Sequence, residues 1–258
     1  MRKLTSLASM VLAGLVIAGC SNSNKNEFEG IPAQELYSKG QNYIEKGDYN
    51  NAIRHLEAVD VNSQGTYGEQ IQLSMIYAQY KLGEYYKALD VAERFSRAYP
   101  NSPSMDYVFY LAGLSNARLA DNWLQDVFRV NNAKRAVDNV RNAYGNFRTL
   151  TQHYPHSQYT AEAKEWMTYM KNRLAEHELS IAQFYMKRQA YVAVINRIEG
   201  LLRFHPETKA AVEALPLLQQ SFNAIGITDS AQNVAKLIEE NKDRSFPDIK
   251  KPAYGAQF

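Results

Sequence analysis

A chain of 258 residues carries 29 Lys and Arg against 27 Asp and Glu, a formal net charge of +2 at pH 7. A balance this close excludes a protein that binds nucleic acid by neutralising phosphates, which needs many uncompensated cations. A single cysteine excludes an internal disulfide, so burial of the 45% hydrophobic residues must hold the fold.

The chain begins with Arg2 and Lys3, then an apolar run from Leu7 to Ile17, then Ile17-Ala18-Gly19-Cys20. A basic start, a short apolar stretch and small residues make a secretory signal peptide over 1–19. The stretch is shorter than the ~20 apolar residues of a spanning helix. The four residues ending at Cys20 resemble a bacterial lipobox. That resemblance implies S-diacylglycerol on the Cys20 thiol, cleavage before Cys20 and acylation of the new amine. One acyl chain anchors marginally at ~0.8 kcal/mol per buried CH₂, and several make release negligible. Ser21 stands where Asp would favour the inner membrane, so the resemblance implies the periplasmic face of the outer membrane. Loss of residues 1–19 removes Arg2 and Lys3 and leaves a formally neutral mature protein. Residues 20–32 form a lipidated tether that reaches at most ~40–45 Å at ~3.5 Å per residue.

From Ala33 onward the apolar residues recur at three and four, which predicts helices almost throughout. Gly and Pro fall between the helical segments, where breakers belong. The first landmarks repeat 36 residues apart. Gly47-Asp48-Tyr49 with Ala52-Ile53 returns as Gly83-Glu84-Tyr85 with Ala88-Leu89. Tyr191 with Val194-Ile195 gives a third copy without the glycine, and Gly226 with Ala231 a fourth, partial one. Tyr99-Pro100-Asn101-Ser102, Tyr154-Pro155-His156-Ser157 and His205-Pro206-Glu207-Thr208 repeat downstream.

This pattern resembles the tetratricopeptide repeat, a helix–turn–helix unit of about 34 residues. The expected fold is all-α: five tetratricopeptide repeats in an α-solenoid, with an insertion in repeat three. Gly47 and Gly83 are expected to end first helices in the left-handed conformation. Ala52 and Ala88 are small because two helices cross there. Repeats one and two span 33–101, repeat three with its insertion 102–157, and repeats four and five 158–240. The insertion shows as a longer path from Gly113 to Ala143 than from the equivalent Ile76 to Ala88, and it contains Trp123 and Phe128. Repeat four should open with a long helix, since Tyr159 to Arg188 holds neither Gly nor Pro. The tail over 241–258 contains Pro247 and Pro252 and has no helical period, so it is expected to be disordered.

Stacked helix pairs leave a concave surface that receives peptides or partner domains. In the repeat family that groove is lined by first-helix positions, here Tyr37, Gln41, Leu73, Tyr77, Tyr80, Lys81, Tyr110 and Arg118. The resemblance thus implies an aromatic groove with cations at one end, suited to an apolar peptide that ends in a carboxylate. The family's full charge clamp is absent. Arg188, Arg197 and Arg203 form a basic cluster in repeat four, a partner-docking surface or a solvated face.

Enzyme chemistry finds no motif. G-x-x-x-x-G-K-[ST], G-x-G-x-x-G and G-x-S-x-G are all missing. His177-Glu178 begins a zincin motif, but Ile181 stands in place of its second histidine. His153 and His156 flank Pro155 in a helix terminator, a poor scaffold for a metal. The expectation is no catalytic residue, no metal and no cofactor beyond the lipid on Cys20.

The lipobox, the five repeats, the stretch from Pro103 to Tyr110, Tyr154-Pro155-His156-Ser157-Gln158-Tyr159-Thr160 and the stretch from Ala190 to Gly200 together resemble the BamD family. These are lipoproteins of the outer-membrane β-barrel assembly machinery. The resemblance covers nearly the whole mature chain. It implies a non-enzymatic scaffold that docks on the periplasmic domains of BamA through C-terminal repeats and holds BamC and BamE. It also implies N-terminal repeats that receive unfolded outer-membrane β-barrel proteins, whose C-terminal signal usually ends in an aromatic residue. Tyr37, Tyr77, Tyr80 and Tyr110 are then expected on the substrate side and Arg197 on the BamA side. The competing expectation is an envelope accessory lipoprotein of DNA uptake (competence) or peptidoglycan organisation.

Overall fold

The computed structural model describes residues 27–59, 64–121 and 130–255. Within them every regular element is an α-helix: α1 (Ala33–Glu45), α2 (Tyr49–Glu57), α3 (Gln64–Lys81), α4 (Tyr85–Ala98) and α5 (Met105–Leu119). There follow α6 (Val130–His153), α7 (Thr160–Met186), α8 (Tyr191–Phe204), α9 (Lys209–Ala224) and α10 (Thr228–Asn241). Each helix packs on the next along the chain, and α1 on α3, α3 on α5 and α7 on α9 pack across pairs. This is the arrangement of an α-solenoid, in which neighbours supply one another's core. Cys20, most of the tether, and Trp123 and Phe128 of the insertion lie outside the described residues.

The turns between paired helices show why glycine recurs. Gly47, Gly83 and Gly226 have φ of 75°, 80° and 81°. Each donates its N–H to the carbonyl three residues back, and the next residue donates five back, as in Gly83 to Tyr80 and Glu84 to Gln79. Those bonds satisfy the carbonyls that a helix end leaves free. Asp48 also caps α2, its carboxylate accepting from the Asn51 N–H at 3.2 Å.

Small residues sit where helices cross. Ala52 and Ala88 are buried, as the repeat register requires. A Cβ added at Gly40 would lie 2.8 Å from Leu56, and one at Gly113 would lie 2.5 Å from the Phe147 ring. The α4 helix shows the ordinary amphipathic solution. Ala88, Val91, Ala92 and Phe95 face inward, while Asp90–Arg94 and Glu93–Arg97 pair on the wet side. By contrast α5 is buried almost all round, from Met105 to Ala117. It is the axis of the first core.

Two cores divide the molecule. The first runs from Leu36 to Met170 and contains Phe95, Tyr110, Phe147 and Trp166. The second runs from Ala175 to Val234. The α7 helix joins them without a break. Its N-terminal part gives Ala163, Trp166 and Met170 to the first core, and its C-terminal part gives Ala175, Leu179 and Ala182 to the second. Its 27 residues extend about 40 Å at ~1.5 Å per residue. The α6 helix has 24 residues, so part of the longer Gly113–Ala143 path is helical, and Ala136 and Val137 pack on Leu174.

Residues 242–255 carry no helix, as the sequence implies, but they are seated against the solenoid. Arg244 donates to the Glu207 carbonyl at 3.2 Å. Phe246 and Ile249 line a cavity of about 400 Å³ together with Met167 and Thr168 of α7 and Lys209 of α9. Lys251 pairs with Asp121 just beyond α5. Side-chain anchors give this segment its path where helical periodicity is lacking.

Candidate functional site

The first-helix positions of α1, α3 and α5 form two connected aromatic regions. In the outer one Tyr37 stacks on Tyr67 with centroids 4.9 Å apart. Gln41 donates to the Ser74 hydroxyl at 2.7 Å. Tyr37, Leu73, Ser74, Tyr107 and Tyr159 border an open cleft of about 350 Å³. Burial raises the Tyr37 pKa, and its bond with Gln41 pulls it partly back. A half-exposed stacked ring beside amide and hydroxyl groups suits an extended peptide with an apolar side chain.

Deeper in, the rings close on each other. Tyr77 meets Tyr49 edge-on at 5.9 Å, and Lys81 lies 5.7 Å from the Tyr77 ring. Burial and then Tyr49 push the Tyr77 hydroxyl up to about 12. Tyr110 stacks on Tyr159 at 4.5 Å and is fully buried. Its hydroxyl donates to Glu162 at 2.7 Å, and Glu162 also accepts from Trp166 Nε1 at 3.2 Å. Burial first, and Glu162 second, hold Tyr110 protonated at any physiological pH. Tyr80 is raised by burial and drawn back by Arg118. Of the residues expected in the groove, Tyr37 and Gln41 are therefore half-buried and Lys81 exposed. Tyr77, Tyr80 and Tyr110 are buried between helices.

Arg118, at the end of α5, faces the seated tail. Its guanidinium lies 3.5 Å over the ring of Tyr254. The same ring meets Trp166, with centroids 4.8 Å apart and the planes tilted by 40°. The Gly255 carbonyl and the Glu162 carboxylate share the one Tyr110 hydroxyl proton, and the Lys251 ammonium sits 4.6 Å from the Tyr254 ring. The expected groove thus holds a segment of its own chain. Trp166, Glu162, Asp121 and Tyr254 belong to this site and were not among the sequence candidates. The weak signal for Tyr254 was an aromatic residue between Pro252 and Gly255, in a segment with no period to orient it.

The three arginines of the basic cluster have different neighbours. Arg197 donates to Glu178 at 3.1 Å and lines a cleft of about 560 Å³ with Arg141, Arg148, Lys171 and the exposed ring of Phe204. Arg141 pairs with Asp138 and Lys171 with Glu207, so Arg148 and Arg197, beside an apolar ring, are the cations that suit an acidic partner surface. Arg188 instead lies 3.5 Å over Phe184 at the α7–α8 corner. Arg203 is exposed on α8 six positions from Arg197, so it points to another side of the helix.

His177 and His205 are half-buried, and burial lowers both pKa values. Among the described residues, no group of three or more His, Cys, Asp or Glu could hold a metal ion, and no helix is long and apolar enough to cross a membrane.

Comparison with known proteins fits this arrangement. Residues 29–237 match the family described as YfiO, outer membrane lipoprotein. The chain is 46% identical over 254 residues to the outer membrane protein assembly factor BamD of Pasteurella multocida (strain Pm70), covering 98% of this chain and 97% of that protein. It is 42% identical over 253 residues to the protein of the same name from Haemophilus influenzae, covering 98% and 96%. It is 36% identical over 234 residues to that from Vibrio cholerae, covering 90% and 97%.

Proposed function

This chain belongs to the YfiO family of outer membrane lipoproteins, and on that premise we propose that it is a non-catalytic scaffold for assembling β-barrel proteins into the outer membrane. The observation that carries this reading is the 46% identity to an outer membrane protein assembly factor across nearly the full length of both proteins. The protein resides in the outer membrane. Acylated Cys20 tethers it there, and residues 20–32 let the solenoid stand away from the lipid.

Two surfaces divide the work. The cleft around Arg197 docks on the periplasmic domains of BamA. Its cations meet acidic residues, and Phe204 supplies an apolar anchor. Arg197 keeps 45% of its side chain in water and Glu178 only 20%, so Arg197 can take a partner carboxylate while it stays paired with Glu178. The aromatic groove from Tyr37 to Arg118 receives unfolded barrel proteins through an aromatic segment. Neither task needs bond-making chemistry, and differential binding suffices. BamC and BamE complete the assembly on the remaining surface, and Arg188 and Arg203 are available to them.

The test is a pull-down of the acylated protein from detergent-solubilised envelopes, with the partners identified by mass spectrometry. Wild type should bring down BamA, and Arg197→Glu should bring down at most a tenth as much. Equal recovery would remove Arg197 from the docking surface. Absence of BamA from both samples would remove the assembly reading itself.

A further inference from the structure

The segment Lys251–Gly255 lies in the groove as a peptide ligand would. It carries no helix or strand. No backbone–backbone hydrogen bond joins residues 245–255 to the helices among the described residues. Side chains alone hold it. Tyr254 fills a slot with the Arg118 guanidinium 3.5 Å from its ring and the Trp166 indole 4.8 Å away. Cation–π and aromatic contacts recognise a ring without reading its neighbours. Asp121 takes the Lys251 ammonium at the mouth. The Tyr110 hydroxyl reaches the Gly255 carbonyl. A Cβ added at Gly255 would come within 3.3 Å of Glu162 and 3.7 Å of the Tyr110 hydroxyl. The slot therefore accepts an aromatic residue with a cation three positions before the ring.

We propose that this slot is a peptide-receiving subsite of the groove and that Lys251–Gly255 is its resident occupant, which an incoming extended segment bearing an aromatic side chain must displace. The identity of that competitor, a barrel-protein segment, rests on the assembly reading above. The seat itself does not. Displacement is feasible because the tail is held at few points. Lys251 and Asp121 both keep part of their side chains in water, so their pairing is weak and salt-sensitive. The tail is tethered at α10, however, and a tethered ligand competes at an effective concentration of ~mM. A free peptide must overcome that, so the resident tail raises the threshold for loading and excludes segments without a suitable aromatic residue.

The experiment uses the full-length acylated protein in detergent and two fluorescein-labelled peptides. One has the sequence of residues 249–258; the other is the last ten residues of an outer-membrane barrel protein. Lys251→Glu/Tyr254→Ala should unseat the tail. Both peptides are expected to bind that variant at least ten-fold more tightly than wild type. Adding Arg118→Ala should cancel the gain. Tyr254→Phe keeps the ring and should bind like wild type, which separates unseating from misfolding. Failure of the tail peptide to gain affinity overturns the proposal. A tail peptide that gains while the barrel peptide binds both proteins equally overturns the competition, and leaves the assembly reading to the pull-down.

Discussion

Gln189 holds, at φ 57°, the backbone position that Gly83 holds at φ 80°. The hydrogen bonds match as well. Gln189 donates to Met186 and Ala190 to Tyr185, as Gly83 donates to Tyr80 and Glu84 to Gln79. The third copy of the turn keeps its geometry without its glycine, because the α7–α8 packing dictates the turn. A residue with a Cβ is strained in that region, and glycine is not. Gln189→Gly should raise stability by ~0.5–1 kcal/mol, read as the midpoint of urea unfolding. A loss of stability would show that the Gln189 side chain makes a compensating contact.

Gly113 and Phe147 test the crossing of α5 and α6. Gly113→Ala puts a methyl 2.5 Å from a ring that is fully buried, and such overpacking costs ~1–3 kcal/mol. Phe147→Leu in the same chain should recover part of the loss. Ala88→Leu should be destabilising to a similar degree. Additive effects of the Gly113 and Phe147 changes in a double-mutant cycle would mean that the two residues do not share the site.

Tyr110→Phe removes the proton donated to Glu162 while keeping the stack on Tyr159. A buried bond to a charged acceptor is worth ~1.5–3 kcal/mol, so the unfolding midpoint should fall accordingly. Near-UV circular dichroism should keep its aromatic signal. An unchanged midpoint would place the Glu162 carboxylate in water rather than on Tyr110.

The two half-buried histidines set a pH dependence. Burial lowers the pKa of His177 and of His205, and nearby Arg141 and Lys171 respectively add to it. In the unfolded chain both titrate near 6.5. The unfolded state therefore binds more protons just below that pH, and stability falls as pH drops through 6.5 until the folded values are passed. Thermal unfolding followed from pH 7.5 to pH 5.5 should show a declining midpoint. The decline should flatten in His177→Gln/His205→Gln. An equally steep decline in that variant would assign it to other groups.

Local features of the fold were legible in the sequence and tertiary ones less so. Gly47, Gly83, Ala52 and Ala88 announce their roles because a left-handed turn and a helix crossing each allow few residue types. Gln189 shows the limit, since packing can impose a turn on a residue that would not choose it. A long helix at α7 follows from a stretch without Gly or Pro, but its continuity and the division of its length between two cores do not, because apolar residues run along both halves. The aromatic groove could be placed on α1, α3 and α5. Which of its rings are covered could not, for the cover is a non-helical segment far along the chain. Side-chain anchors such as Tyr254 leave no periodic trace. Arg188, Arg197 and Arg203 are close in sequence, yet Arg188 lies before α8 and Arg197 and Arg203 lie on different sides of it.

Depletion of the protein from growing cells, followed by measurement of folded barrel proteins in the outer membrane, tests the central claim most directly. Folded barrels are scored by their heat-modifiable migration in unboiled gels. This folded fraction is expected to collapse while unfolded precursors gather in the periplasm. Barrels that stay folded and abundant, with only transformation by external DNA lost, would contradict it.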